Sequence, residues 1–157
     1  MRFGAIEAGG TKMVCAVGDE QGNILEKISI PTENPELTMP GIIDFFQNMQ
    51  IAALGVGCFG PIDLNRSSKT YGYITTTPKL AWANYNIVGI LKEALHCPIG
   101  FDTDVNGSAL GEATWGITRG LENSIYITIG TGVGAGIISN GKLLHGMLHP
   151  EAGHIIL

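Results

Sequence analysis

Ile6-Glu7-Ala8-Gly9-Gly10-Thr11-Lys12 decides the fold. An apolar strand runs into two glycines and turns straight back into a second apolar strand beginning at Met13. A backbone without side chains can approach an anionic phosphate closely, and its free N–H groups then act as donors. A second run, Gly130-Thr131-Gly132-Val133-Gly134-Ala135-Gly136, also leaves a hydrophobic strand and also carries a threonine hydroxyl. One such turn is a weak sign. Two suggest a clamp on a nucleotide, with Gly9, Gly10, Thr11 and Lys12 on one side and Thr131 and Gly132 on the other. Between them Thr103-Asp104-Val105-Asn106 places a carboxylate where an apolar strand meets a new helix.

The elements read outward from the first turn. Phe3 to Ala8, Met13 to Asp19 and Ile24 to Ile30 alternate as three strands of a meander, with a turn at Gln21-Gly22-Asn23. Leu37 to Gln50 has helical spacing in Ile42, Phe45, Phe46 and Met49, with Pro40 expected in its first turn. Ile51 to Phe59 is an apolar strand ending at Gly60-Pro61. Residues 63 to 84 are polar and aromatic without a period, which suits a substrate-facing loop. Ile87 to His96 reads as a helix, Ile99 to Phe101 as a strand and Val105 to Trp115 as a helix. Ser124 to Ile129, Gly136 to Ser139 and His154 to Leu157 read as strands of a second sheet that has barely begun. Residues 1–115 form a small lobe on this reading, and 116–157 open a second one. Ile155-Ile156-Leu157 looks like the middle of a strand, so the chain is expected to be the front portion of a longer protein.

Composition narrows the classes of function. The 157 residues are 45% hydrophobic and only 15% charged, with a formal net charge of −5. The high apolar share hints at surface that something else covers. Lysines and arginines are scattered singly, which argues against nucleic acid or an acidic membrane as partner. Cys15, Cys58 and Cys97 are odd in number and lie in apolar runs, as buried reduced thiols of a cytoplasmic protein would. No stretch is long enough to span a membrane and no export signal is visible.

Four groups of residues could carry chemistry. Thr11 and Lys12 can reach phosphate oxygens, although Gly-Gly is also a favoured pair for a plain two-residue hairpin. Glu7, at the end of an apolar strand, suits a hydrated Mg²⁺. Asp104 is either an N-cap or a general base for a hydroxyl whose neighbour Asn106 would fix. Asp102 is set aside on the expectation that it points the other way along the strand. His149-Pro150-Glu151-Ala152-Gly153-His154 is the last cluster, in which Glu151 and His154 could face one pocket.

Taken in order, these pieces resemble the ROK family of sugar kinases within the actin-like ATPase superfamily. The segments that carry the resemblance are Ile6–Lys12, Gly60-Pro61-Ile62-Asp63, Asp104-Val105-Asn106 with Ala109-Leu110-Gly111-Glu112, Ile129–Gly134 and Glu151-Ala152-Gly153-His154. Glu7 and Thr75-Thr76-Thr77-Pro78-Lys79-Leu80-Ala81-Trp82 are more similar to the family's bacterial fructokinases than to its glucokinases. The resemblance implies an α/β chain of the actin-like ATPase (ribonuclease H-like) fold, with a small N-terminal lobe and the first strands of a larger one. It implies ATP-dependent phosphorylation of a hexose, fructose above glucose or mannose, with Asp104 as catalytic base. Asn106, Glu151, His154, Gly60 and Pro61 would then meet the sugar. Gly9, Gly10, Thr11 and Lys12 would form the first phosphate motif, and Thr131 and Gly132 the second. Mg²⁺ would accompany ATP. His154 matches the histidine of a structural zinc site whose other ligands lie beyond Leu157, so only a full-length protein is expected to hold zinc. A chain ending at Leu157 is expected to lack full activity, and a non-catalytic sugar-binding fragment is the alternative. The family's sugar-responsive repressors carry a DNA-binding segment ahead of the first phosphate motif, for which a strand starting at Phe3 leaves no room. A homodimer is compatible with the resemblance.

Overall fold

Alternation of buried and open residues builds the first sheet. In the computed structural model, which describes residues 1–130 and 132–146, Phe3–Ala8 (β1), Lys12–Gly18 (β2) and Ile24–Pro31 (β3) form the expected antiparallel meander. Ala53–Cys58 (β4) runs parallel to β1 on its other side, and Ile99–Thr103 (β5) completes the order β3-β2-β1-β4-β5. Gly4, Ile6 and Ala8 are buried, as are Met13, Cys15 and Val17 of β2 and Leu54, Val56 and Cys58 of β4. That period of two marks a sheet with one packed face.

Two helices supply the rest of this core. Pro35–Gln47 (α1) contributes Met39, Ile42 and Phe46, and Ile87–Leu95 (α2) contributes Ile87, Val88 and Leu91. Asn34 caps α1, accepting from the Leu37 N–H at 3.1 Å, and Asn86 caps α2 through the Gly89 N–H at 2.8 Å. Because α1 starts at Pro35, Pro40 falls in its second turn and not in its first. The ring faces solvent, where water can bond to the carbonyl that a proline leaves without its helical donor. Gly4 is required by this packing: a β-carbon there would meet Phe46 Cε1 at 2.9 Å.

The stretch 63–84 is not simply a loop facing outward. Ile74 bridges to both Ile62 and Tyr85, and Ile74 and Trp82 are 0% and 1% exposed. Trp82 stands edge-on to Phe59 and Tyr85, with ring centroids 6.1 and 5.2 Å away. Its buried anchors are sparse and irregularly spaced, so no helix or strand period betrays them.

Contacts divide the chain into two compact units, Met1–Asp102 and Thr103–Leu157. The second unit holds Asp104–Thr114 (α3) and an antiparallel sheet of Ser124–Ile129 (β6), Val133–Ser139 (β7) and Lys142–Leu143 (β8). Whereas the sequence reading counted residues to 115 with the small lobe, α3 packs against β6, β7 and β8. Glycines make that packing possible. On Gly136 a β-carbon would collide with the Val105 carbonyl oxygen and lie 2.9 Å from Ala109 Cβ, and on Gly134 it would meet Val105 Cγ1 at 2.9 Å. Ile125, Ile127 and Ile129 share the other face of β6 and are 60%, 58% and 82% exposed.

Candidate active site

The first glycine turn is closed by Gly9, whose N–H donates to the Lys12 carbonyl at 3.1 Å. Ala8 pairs with Met13, so Gly10 and Thr11 form a two-residue loop. Neither residue adopts the left-handed φ that the favoured two-residue hairpin turns require. The β7–β8 turn shows what a plain hairpin looks like in the same chain: Asn140 and Gly141 have φ of 52° and 71°. The first loop is thus held in a shape that simple hairpin closure does not select. On Gly9 a β-carbon would lie 2.8 Å from the Lys12 carbonyl oxygen, so a side chain there would force the loop open. Thr32, just past β3, fastens the loop by donating its hydroxyl to the Gly9 carbonyl at 2.7 Å and its N–H to the Thr11 carbonyl at 2.9 Å.

Glu7, Thr11 and Lys12 are all exposed. For Glu7 this follows from β1 alternation, since Ile6 and Ala8 take the buried face. Its register partners are Val14 of β2 and Gly57 of β4. An open carboxylate beside a glycine can serve a hydrated cation through water, although it is not the stranded acid in an apolar strand that the sequence suggested.

Because β1 and β4 run parallel, Gly60-Pro61 emerges at the same edge of the sheet as the glycine turn. Phe59 donates its N–H to the Ala8 carbonyl at 2.9 Å, and the Gly60–Pro61 peptide is cis. Thr75 ties the segment down, with its N–H and hydroxyl both on the Pro61 carbonyl at 2.8 and 3.1 Å. Asp63 follows. The hydroxyls of Ser68 and then Thr70, and after them the Asn65 N–H, hold its carboxyl below the usual range, with Thr70 Oγ1 2.7 Å away.

In the second unit, the start of α3 organises Asp104 and Asn106. Thr103, not Asp104, is the N-cap: its hydroxyl accepts from the Asn106 N–H at 3.2 Å. Asp104 is the first helical residue and half-buried, with Oδ1 2.9 Å from the Val105 nitrogen. The capping role that competed with catalysis for Asp104 therefore belongs to its neighbour. Residues two apart on a strand share a face, so alternation is no ground for setting Asp102 aside. What separates the two is that Asp102 lies within β5 and Asp104 opens the helix. Asn106 is fully buried, and its Nδ2 lies 3.5 Å from His145 Nε2. Sequence reading missed His145, which follows β8 in a stretch with no periodic signal.

The second glycine run serves two purposes. Gly134 and Gly136 lie on β7 and admit α3, while a β-carbon on Gly130 or Gly132 would meet nothing within 4 Å among the described residues. Gly130 donates to the Gly132 carbonyl at 2.9 Å. Thr131, Glu151 and His154 lie outside the described residues, as does the strand expected at 154–157. Among the described residues no group of three potential metal ligands occurs.

The sheet order, the glycine turn and the carboxylate at a helix start are features of an actin-like ATPase fold, and the comparisons agree. The ROK family model matches residues 3–157, and the chain belongs to that family. It is 53% identical over 152 residues to the fructokinase of Lactococcus lactis subsp. cremoris, covering 97% of this chain and 51% of that protein. To the glucokinase of Streptomyces coelicolor it is 32% identical over 157 residues, covering 96% of this chain and 48% of that one. Among solved structures, the ROK glucokinase of Streptomyces griseus in complex with glucose and AMPPNP superimposes with a TM-score of 0.77 at 30% identity, over 99% of this chain and 50% of the other. The chain spans about half the length of the curated relatives it matches.

Proposed function

We propose that this chain supplies the first phosphate turn and the catalytic base of an ATP-dependent hexose kinase that converts fructose to fructose 6-phosphate. The observation that carries the reading is the 53% identity to a fructokinase across 97% of the chain, against 32% to a glucokinase. Geometry supports it at two places: a glycine loop shaped away from a plain hairpin, and an aspartate relieved of capping by Thr103.

Phosphoryl transfer asks a protein mainly for alignment and charge neutralisation. Gly9, Gly10, Thr11 and Lys12 would meet the phosphates of ATP on one side, and Thr131 and Gly132 on the other. Asp104 would take the proton of the attacking sugar hydroxyl, while Asn106, Glu151, His154 and the Gly60-Pro61 segment hold the sugar. Glu7 would hold Mg²⁺ through water, and the ion would offset negative charge on the phosphates. A cytoplasmic location suits a nucleotide-dependent enzyme; among the described residues no helix is long and apolar enough to cross a membrane.

The test uses a protein of the relatives' full length carrying this chain. Asp104→Ala should remove nearly all ADP release with fructose while ATP binding persists. Retention of more than about a hundredth of the rate would sink the base assignment. A panel of fructose, glucose and mannose in the same assay decides the sugar, and silence on all three favours a non-catalytic fragment.

A further inference from the structure

Lys79 has no role in the scheme above, yet its side chain reaches the first glycine turn. A β-carbon on Gly10 would lie 3.5 Å from Lys79 Cε. The approach is fixed by a relay of hydrogen bonds. Thr32 fastens the Gly9–Lys12 loop; the next residue, Glu33, offers its carbonyl to Trp82 Nε1 at 2.7 Å. The Trp82 N–H in turn donates to the Lys79 carbonyl at 2.8 Å. Loop, Thr32-Glu33, Trp82 and Lys79 thus close a ring, and the lysine stem completes it over Gly10.

Lys79 is half-buried. Among the described residues the ammonium has no carboxylate within 4.0 Å, and the one ion pair there joins the Met1 ammonium to Glu20. A cation without a carboxylate partner beside glycine backbone favours an anionic ligand. Lys12, exposed, ends the same turn, so two lysines belong to this loop and the segment that reaches it. That charge suits a polyphosphate far better than sugar hydroxyls.

We propose that Lys79 is a second cation of the phosphate turn, donating from its ammonium to oxygens of the terminal phosphoryl group of a polyphosphate chain held at Gly9-Gly10. The proposal rests on the kinase reading and deepens it. In transfer the bond from the terminal phosphorus to its bridging oxygen breaks, and the bond to the sugar oxygen forms. The sugar hydroxyl proton passes to Asp104. Lys79 exchanges no proton and neutralises the oxygens of the moving group.

Calorimetric titration with inorganic tripolyphosphate of a protein of the relatives' full length carrying this chain tests this, with fructose 6-phosphate in a second arm. Lys79→Met keeps the apolar stem and the backbone bonds and removes the charge. It should weaken tripolyphosphate binding about tenfold with an unchanged thermal midpoint, while Lys79→Arg stays close to wild type. A folded Lys79→Met chain that binds tripolyphosphate like wild type, when Lys12→Met does not, overturns the role of Lys79 and leaves the kinase reading standing. Loss confined to fructose 6-phosphate overturns the polyphosphate assignment. Failure of that folded full-length protein, unaltered, to bind either ligand removes the kinase reading and this proposal together. Should Lys79→Met not fold, unaltered protein decides: tripolyphosphate should shield Lys79 from reductive methylation and leave exposed Lys92 reactive. Equal labelling with and without tripolyphosphate overturns the proposal.

Discussion

Thr32 and Gly9 are joined by a 2.7 Å hydrogen bond from the threonine hydroxyl to the glycine carbonyl, and that bond holds the first glycine turn against the end of β3. Thr32→Val keeps the shape and deletes the donor. It should cost about 1 kcal/mol of stability, read as a lower urea midpoint, and weaken tripolyphosphate binding. An unchanged affinity would show that the backbone bonds Gly9 N–H to Lys12 and Thr32 N–H to Thr11 fix the loop without the hydroxyl.

Gly136 permits α3 to approach β7, so Gly136→Ala should destabilise the chain by about 1–3 kcal/mol. Gly130→Ala, where a β-carbon meets nothing within 4 Å among the described residues, should stay within about 0.5 kcal/mol of wild type. Chemical denaturation of the pair measures the contrast. Equal effects would mean that α3 shifts without penalty.

Gly111 carries the opposite sign. It lies in α3, where a β-carbon would meet nothing within 4 Å among the described residues, and alanine is the better helix former. Gly111→Ala should therefore stabilise by about 0.5–1 kcal/mol, visible as a higher thermal midpoint.

Burial pushes the Cys15 thiol up to about 12. The folded chain thus keeps a proton that the unfolded chain releases from about pH 8.5 upward. The neutral thiol's contribution is complete below that value and is lost as pH rises toward about 12, so alkaline pH favours unfolding. Urea midpoints should fall between about pH 8 and 10, less steeply in Cys15→Val. Native protein should also leave Cys15 unlabelled by a thiol reagent until denaturant is added.

What could be read in the sequence follows periodicity. β1 to β3, both capped helices and the first glycine turn announce themselves through alternation, helical spacing and paired glycines. The Asn140-Gly141 hairpin turn and the two-residue β8 behind it went unread, because so short a strand shows no alternation. Lys79, Thr32 and His145 were hidden because their roles depend on neighbours distant in the chain: Trp82 reaches Glu33 across the fold, and no local pattern encodes that. The glycines of 130–136 looked alike in one dimension. Only α3 lying on β7 separates Gly134 and Gly136, which make room for a helix, from Gly130 and Gly132, which do not. Asp104 was legible as a carboxylate at a strand-to-helix junction, whereas Thr103's claim on the capping position was not, since either residue type caps well.

The isoleucine row of β6 bears on how the protein behaves in a tube. Ile125, Ile127 and Ile129 stand exposed along a strand that has one hydrogen-bonded neighbour, β7, among the described strands. An apolar strip beside unpaired amides is a template for strand addition. Covering those three side chains should therefore reduce the tendency of this chain to precipitate on concentration.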